Sequence, residues 1–356
     1  MIQKIHLRSD GVVEPVKSEF YIRHTKDQPA TRLTRIQELL KTHAPRLCIV
    51  RGPGLGDVIM TTPVVHAIKQ LFGSVHLGYA TNTNYFNGAL VDVLKYNPDI
   101  DEILDMEQIN DINYDAIINL HCPCMPYEKR ENPPINRIDL FARHTGIQLT
   151  DHQPRYYIQQ EEVMEGSYKI APFRDKPIIL HQPFASSSRR MLDPRVYKQV
   201  LIQLANYGIN NLVLTHQGDP PSEIMWDAIP RTRTMHNLGV REIASIMIHC
   251  NAVLCPDSSM LHLAGALQVP TVGLFGPTHP DARINYYPDT IAVWKGISLK
   301  CAPCWYGDCP MGIACWKMMS AEDIVTACLD RLENKNKLDI NKLLQNRRAT
   351  IKSEII

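Results

Sequence analysis

An acid stands where a glycine is expected. In RGPGLGDVIMTTPVV, Arg51 to Val65, the glycines Gly52, Gly54 and Gly56 follow a short apolar run, as in a dinucleotide fingerprint. Asp57 then occupies the place of the third glycine of G-x-G-x-x-G. A pyrophosphate cradle fits poorly. The carboxylate would repel the phosphates, and no third glycine follows to let helix and strand pack closely. Two roles remain for Asp57. It can cap the helix that follows, or it can serve as a general base for a hydroxyl nucleophile at the mouth of that helix, where the macrodipole favours its ionised form.

Three further segments carry donors suited to a phosphate. In CPDSSMLHLAGAL a strand ends at Cys255, and Asp257, Ser258 and Ser259 precede a helix. The N-terminus of such a helix offers unpaired N–H groups and partial positive charge, and His262 in its first turn faces the same region. The plain alternative is a capped helix with a partly buried histidine. In FGPTHPDA, Gly276, Pro277 and Thr278 form a tight turn whose N–H groups and hydroxyl suit an anion, or simply a loop. HQPFASSSRRMLDPRVY sets three hydroxyls, Ser187 among them, beside Arg189 and Arg190; either arginine supplies charge and donors. A solvated polar loop is the competing reading there.

The fourth group is CAPCWYGDCPMGIAC, with Cys301, Cys304, Cys309 and Cys315 on a Pro- and Gly-rich loop. Four thiolates at this spacing can surround one tetrahedral ion such as Zn²⁺ or Fe. A redox pair is less attractive, since Pro303 and Pro310 indicate irregular loop rather than a helix start. Metal ranks ahead of free thiols, and disulfides come last. An all-cysteine site is closed and therefore structural.

These residues need elements to hold them. At 356 residues, 44% hydrophobic and 21% charged, the chain has material for two ordinary cores. A net charge of +1 gives no global argument for nucleic acid or a membrane surface. No apolar run approaches the ~20 residues of a membrane span, and the N-terminus lacks a secretory pattern. A cytoplasmic address is expected. From Leu47 onward strands alternate with helices: RLCIVRGPG, SVHLGYAT, IDEILDM and YDAIINLHC as strands, then a crossover over 151–176, then a second run through PIILHQPF, INNLVLTHQG, AVLCPD and PTVGLFGPT. Alternation of this kind predicts parallel sheets covered by helices. The loops Gly52–Asp57, His181–Arg190, His216–Asp219, Pro256–Ser259 and Gly276–His279 each fall at a strand's carboxyl end, where such sheets bind ligands. The expected organisation is an extension over 1–44, with RLTRIQELLK its helix-like piece, domains over 45–165 and 166–335, the cysteine-rich loop 301–315 inside the second, and a tail over 336–356.

Two of these segments together resemble glycosyltransferase family 9, the ADP-heptose:lipopolysaccharide heptosyltransferase family. RGPGLGDVIMTTPVVHAIKQLF resembles its N-terminal motif, and PDSSMLHLAGALQVPTVGLFGPTHP its longer second-domain motif. CAPC…C…C looks like a cysteine-rich segment of many members. The resemblance implies an α/β GT-B fold, with two Rossmann-like doubly wound domains facing across a cleft. It implies inverting transfer from a nucleotide-sugar, an ADP-sugar being favoured, to an acceptor hydroxyl, with no catalytic metal. Asp57 falls on the family's base. Gly54, Gly56, Ser187, Arg190, Asp257, Ser258, Ser259, Met260, His262 and Thr278 fall on its nucleotide-sugar-binding positions. The chain departs from the family's pattern at three positions: Arg190 replaces the usual Lys, Leu192 an aromatic two positions on, and Ser259 a glycine. The acceptor is left open among glycan, lipid-linked and protein hydroxyls, and so is the oligomeric state. A non-catalytic sugar-nucleotide-binding or assembly protein on the same fold is the alternative. A nicotinamide-dependent oxidoreductase is disfavoured by the missing glycine.

Overall fold

The structure is a computed structural model that describes residues 44–110, 113–120, 134–217, 219, 224–304, 309 and 311–333, with the backbone of short strands at 5–7, 13–15 and 21–22. The helix expected at RLTRIQELLK, most of the Pro-rich loop 122–134 and the tail beyond 333 lie outside the described residues. The chain forms two compact units, Met1–Tyr157 and Ile158–Ile356.

In the first unit β1 (Ile5–Leu7) and β2 (Val13–Pro15) pair antiparallel. The unit then runs β3 (Tyr21–Ile22), β4 (Arg46–Val50), α1 (Leu55–Leu71), β5 (His76–Thr81), α2 (Ala89–Leu94), β6 (Glu102–Asp105), β7 (Ala116–Asn119) and α3 (Arg137–Thr145). The five-stranded sheet has the order β3-β7-β4-β5-β6 and is parallel throughout. β4 is buried from Leu47 to Val50, as an apolar run covered on both faces must be. The chain leaves β4 toward β5 on one side and returns as β7 on the other. The topological switch point therefore lies at the carboxyl ends of β4 and β7, where open α/β sheets place their ligands.

α1 begins at that point. Gly54 caps it with φ 112°, a left-handed conformation that glycine adopts without a Cβ clash. Val58, Pro63, Val64 and Ile68 are buried along α1, Ala67 is partly buried, and Leu71 is exposed at the helix end. Pro63 lies mid-helix and cannot donate to the carbonyl of Ile59. The hydroxyl of Thr62 donates to that carbonyl instead, at 2.7 Å, and accepts from the N–H of Arg155.

The second unit runs α4 (Gln160–Ile170), β8 (Ile178–His181), α5 (Pro194–Asn206), β9 (Asn210–Thr215), β10 (Thr232–His236), α6 (Val240–Met247), β11 (Ala252–Pro256), α7 (Ser259–Ala266), β12 (Thr271–Phe275), α8 (Asp281–Ile284), β13 (Thr290–Trp294), α9 (Ala314–Lys317) and α10 (Ala321–Glu333). Its parallel six-stranded sheet has the order β10-β9-β8-β11-β12-β13. The switch point here lies between β8 and β11. The core gathers Tyr197, Trp226, Leu254, Val272 and Trp316, and Leu192 is buried within it. At the centre of the sheet His181 is fully buried, with Nε2 3.0 Å from Asn211 Oδ1. Burial pushes its imidazole down to about 3, so it sits there neutral.

Three elements differ from the sequence expectation. α4 lies inside the stretch read as a crossover; it packs against α6, where Gly166 meets the backbone of Ser245 and Glu162 pairs with Arg241. β10 and β13 are edge strands with partly exposed residues, and their alternation is too weak to stand out in the sequence. Among the described residues no helix is long and apolar enough to cross a membrane.

Candidate functional site

The first unit centres its charge on Asp57. Residue 57 falls in the first turn of α1, at the β4–β7 switch point. Its carboxylate is paired on both sides: Arg51 donates from Nη2 to Oδ2, and Arg137 Nη1 stands 2.5 Å from Oδ1. Arg51 follows β4 directly and is 6% exposed, while Arg137 opens α3, the helix that follows β7. The two strand ends that define the switch point thus each send one guanidinium to Asp57. Gly54 is required in this arrangement. A Cβ there would lie 2.8 Å from Asp57 Oδ2, on a backbone with positive φ. Burial and the Asp57 charge push the Tyr85 hydroxyl up, with Arg51 opposing. Gly56 is buried within the first turn.

Sequence reasoning missed both arginines. Arg51 stands inside the quoted motif with no role assigned. Arg137 is 80 positions away in sequence and reaches Asp57 only through the sheet topology.

The second unit gathers the predicted anion-binding residues at its own switch point. Ser188–Arg190 is a single 3-10 turn after β8, and the N–H of Arg190 donates to Ser187 O at 2.9 Å. The Arg190 guanidinium reaches across to the end of β11. Nη1 donates to Asp257 O at 2.8 Å, and Nη2 to Ser186 Oγ at 2.6 Å. Asp257 turns inward, 4% exposed, with Oδ1 3.6 Å from Arg283 Nε. Burial alone would raise its carboxyl. Arg283, then Arg190, His262 and the Thr278 hydroxyl outweigh burial and hold it below the usual carboxylate range. Asp257 therefore fixes the loop and its arginines.

α7 starts beside it. Ser258 is the N-cap, and its Oγ is a buried atom with no hydrogen-bond partner among the described residues. The first turn of any helix presents N–H groups without intrahelical acceptors, here at Ser259 and Met260. An uncommitted hydroxyl and these groups beside Arg190 have the chemistry that suits an anion. His262 does not face it as an open ring. It is 3% exposed, and its Nδ1 lies 2.8 Å from Tyr287 Oη. Arg283 and Tyr287 are further positions that the sequence reading passed over.

The four cysteines line one small cavity of about 20 Å³, together with Arg189 and Pro277. That volume holds a single small occupant. Backbone N–H groups of Ile313 and Met311 lower the Cys309 thiol, whereas burial and the neighbouring sulfurs raise Cys315. Among the described residues no group of three or more His, Cys, Asp or Glu side chains is placed to hold a metal ion. The cavity gives donors of the right chemistry around one space; the sulfurs are not drawn in to it.

Comparison with known proteins adds a family and a fold. The family model "Glycosyltransferase family 9 (heptosyltransferase)" matches residues 128–314, more than half of the chain. This range includes the second unit's site and the first three cysteines, but not Asp57. A curated relative, lipopolysaccharide heptosyltransferase 1 of Pseudomonas aeruginosa, is 36% identical over 67 residues, 19% of this chain; the match spans 18% of that relative's length. A glycosyltransferase family 9 structure from Veillonella parvula aligns over 82% of this chain and 98% of its own, with TM-score 0.64 and 16% identity. E. coli ADP-heptose lipopolysaccharide heptosyltransferase II aligns over 80% and 98%, with TM-score 0.58 and 14% identity. TibC of enterotoxigenic E. coli, an iron-containing dodecameric glycosyltransferase, aligns over 82% and 77%, with TM-score 0.60 and 15% identity. A second TibC structure is a complex with ADP-D-β-D-heptose. At these identities the likeness is one of fold, and the fold is GT-B.

Proposed function

The chain belongs to glycosyltransferase family 9, and we propose that it transfers a heptose or related sugar from a nucleoside-diphosphate donor to an acceptor hydroxyl, with inversion. The observation that carries this reading is the second unit's switch point, where the α7 N-terminus, the uncommitted Ser258 hydroxyl and the Arg190 guanidinium converge. As the sugar bond breaks, charge collects on the leaving diphosphate. Fixed donors and a cation at that place stabilise the transition state more than the ground state. An ADP-sugar is the favoured donor, by analogy with the TibC complex. No metal is assigned to the diphosphate.

Asp57 is the proposed base. As base its carboxylate would take the proton of the acceptor hydroxyl while Arg51 and Arg137 hold it in place. The same double pairing favours a second reading, in which Asp57 only anchors the switch point of a non-catalytic nucleotide-sugar-binding protein. At the cysteine loop, Cys301, Cys304, Cys309 and Cys315 would hold one Zn²⁺ or Fe²⁺, which would close the loop as a structural site.

Thermal unfolding with ADP, UDP and GDP tests the donor reading. ADP at about 100 times its Kd should add about 2.7 kcal/mol to the unit that binds it and raise the melting temperature by several degrees. If no nucleoside diphosphate moves the transition, the donor reading fails.

A further inference from the structure

The cysteine loop is fastened to the donor turns by contacts that the transfer reading does not use. Arg189 Nη2 donates to Cys304 Sγ at 3.1 Å. The carbonyl of the same residue accepts from Trp316 Nε1 at 2.7 Å, one position after Cys315. The N–H of Cys304 donates to Pro277 O at 2.8 Å, in the Gly276–Thr278 turn. Trp316 lies so close over Gly276 that any Cβ there would strike its ring. Arg189 and Arg190 are neighbours in one 3-10 turn, where successive side chains point about 120° apart. One holds the cysteine loop and the other reaches Asp257.

We propose that Arg189 is a positioning residue that couples the metal-holding cysteine loop to nucleoside-diphosphate binding at Arg190 and α7. The inference rests on the donor reading for what the second unit binds. Its physical basis is the nature of the acceptor at Cys304. A free thiol is a weak hydrogen-bond acceptor, whereas a metal-bound cysteine is a thiolate and accepts a charge-assisted bond. With a metal in the loop, Arg189 is drawn to a fixed anion and the Ser186–Arg190 turn is held from both sides. Without it, Cys304 accepts only weakly from Arg189, and the turn is held less firmly on the cysteine-loop side. Loss of a hydrogen bond to a metal ligand commonly costs about 10–100-fold in metal affinity or activity. Linkage makes the effect reciprocal: nucleotide binding strengthens metal retention by the same factor.

The test uses the full chain loaded with Co²⁺, the same protein stripped by chelator, and the loaded variants R189M and R189K. ADP affinity is read by calorimetry, metal content by elemental analysis, and the thiolate-to-cobalt absorption by spectroscopy. The loaded wild type should bind ADP about tenfold more tightly than the stripped protein. R189M should keep its cobalt yet bind ADP as weakly as the stripped form, and R189K should recover part of the loss. ADP should shift the cobalt–thiolate band in the wild type and not in R189M. Equal ADP affinity in the loaded, stripped and R189M proteins overturns the coupling while leaving the donor reading intact. Absence of ADP binding in every form overturns the donor reading and this proposal with it. Failure to take up cobalt overturns the cysteine-loop reading and the proposal that depends on it.

Discussion

Arg190 makes two bonds inside the protein and still presents a cation beside α7. Its Nη1 and Nη2 are spent on Asp257 O and Ser186 Oγ, and its side chain stays 30% exposed. Arg190→Gln should therefore cost binding more than folding. A charge-assisted hydrogen bond is worth about 1.5–3 kcal/mol, so ADP affinity should fall about 10–100-fold, with little change in the melting temperature of the free protein. Calorimetry on the folded variant checks it. At this scale the candidate site was partly legible. Asp57, Arg190 and Ser258 announce themselves by type and spacing, because an acid at a helix mouth and hydroxyls beside arginines are locally odd. Their partners do not. Arg137 and Arg283 lie within ordinary polar sequence and acquire a role only when the sheet brings them to Asp57 and Asp257.

At the scale of elements, two contacts yield predictions. α4 and α6 approach backbone to backbone at Gly166, where an added Cβ would overlap the carbonyl of Ser245. Gly166→Ala should push the helices apart and cost about 1–3 kcal/mol in urea unfolding. His181, buried and neutral at the carboxyl end of β8, sets a pH dependence. The folded imidazole titrates at about 3, against 6.5 when unperturbed, so between these values the unfolded chain binds the extra proton. Stability should fall as pH drops through that window, by about 1.4 kcal/mol per pH unit. Unfolding of His181→Asn between pH 6 and 4 should show a slope shallower by about one proton. An unchanged slope would remove His181 from the account. The central strands β4, β8, β11 and β12 could be read from the sequence as apolar runs stopped by Gly, Asp or Ser. The edge strands β10 and β13 and the helix α4 could not. A half-exposed edge alternates weakly, and α4 buries only Gly166 and Ile170.

At the scale of the molecule, the two parallel-sheet units each carry one charged constellation at a switch point, and the second also carries the cysteine loop. The purified protein should contain about one Zn or Fe per chain, and Cys304→Ser should lose it, both by elemental analysis. A metal-free protein of full stability would contradict that expectation. The alternation of strands and helices was enough to foresee two units. Where one ends and the next begins was harder to see, because the linking segment carries α4, and α4 packs on α6 of the unit that follows it.

The central proposal is that Asp57 is the general base of sugar transfer. Its most direct test is ADP release from ADP-heptose by the wild type and by Asp57→Asn, over a panel of glycan, lipid-linked and protein acceptors, with ADP affinity measured on both proteins. The account predicts that Asp57→Asn binds ADP within about twofold of the wild type while turnover falls about 10²–10⁴-fold, the range set by loss of a general base. Turnover by Asp57→Asn at the wild-type rate would contradict it.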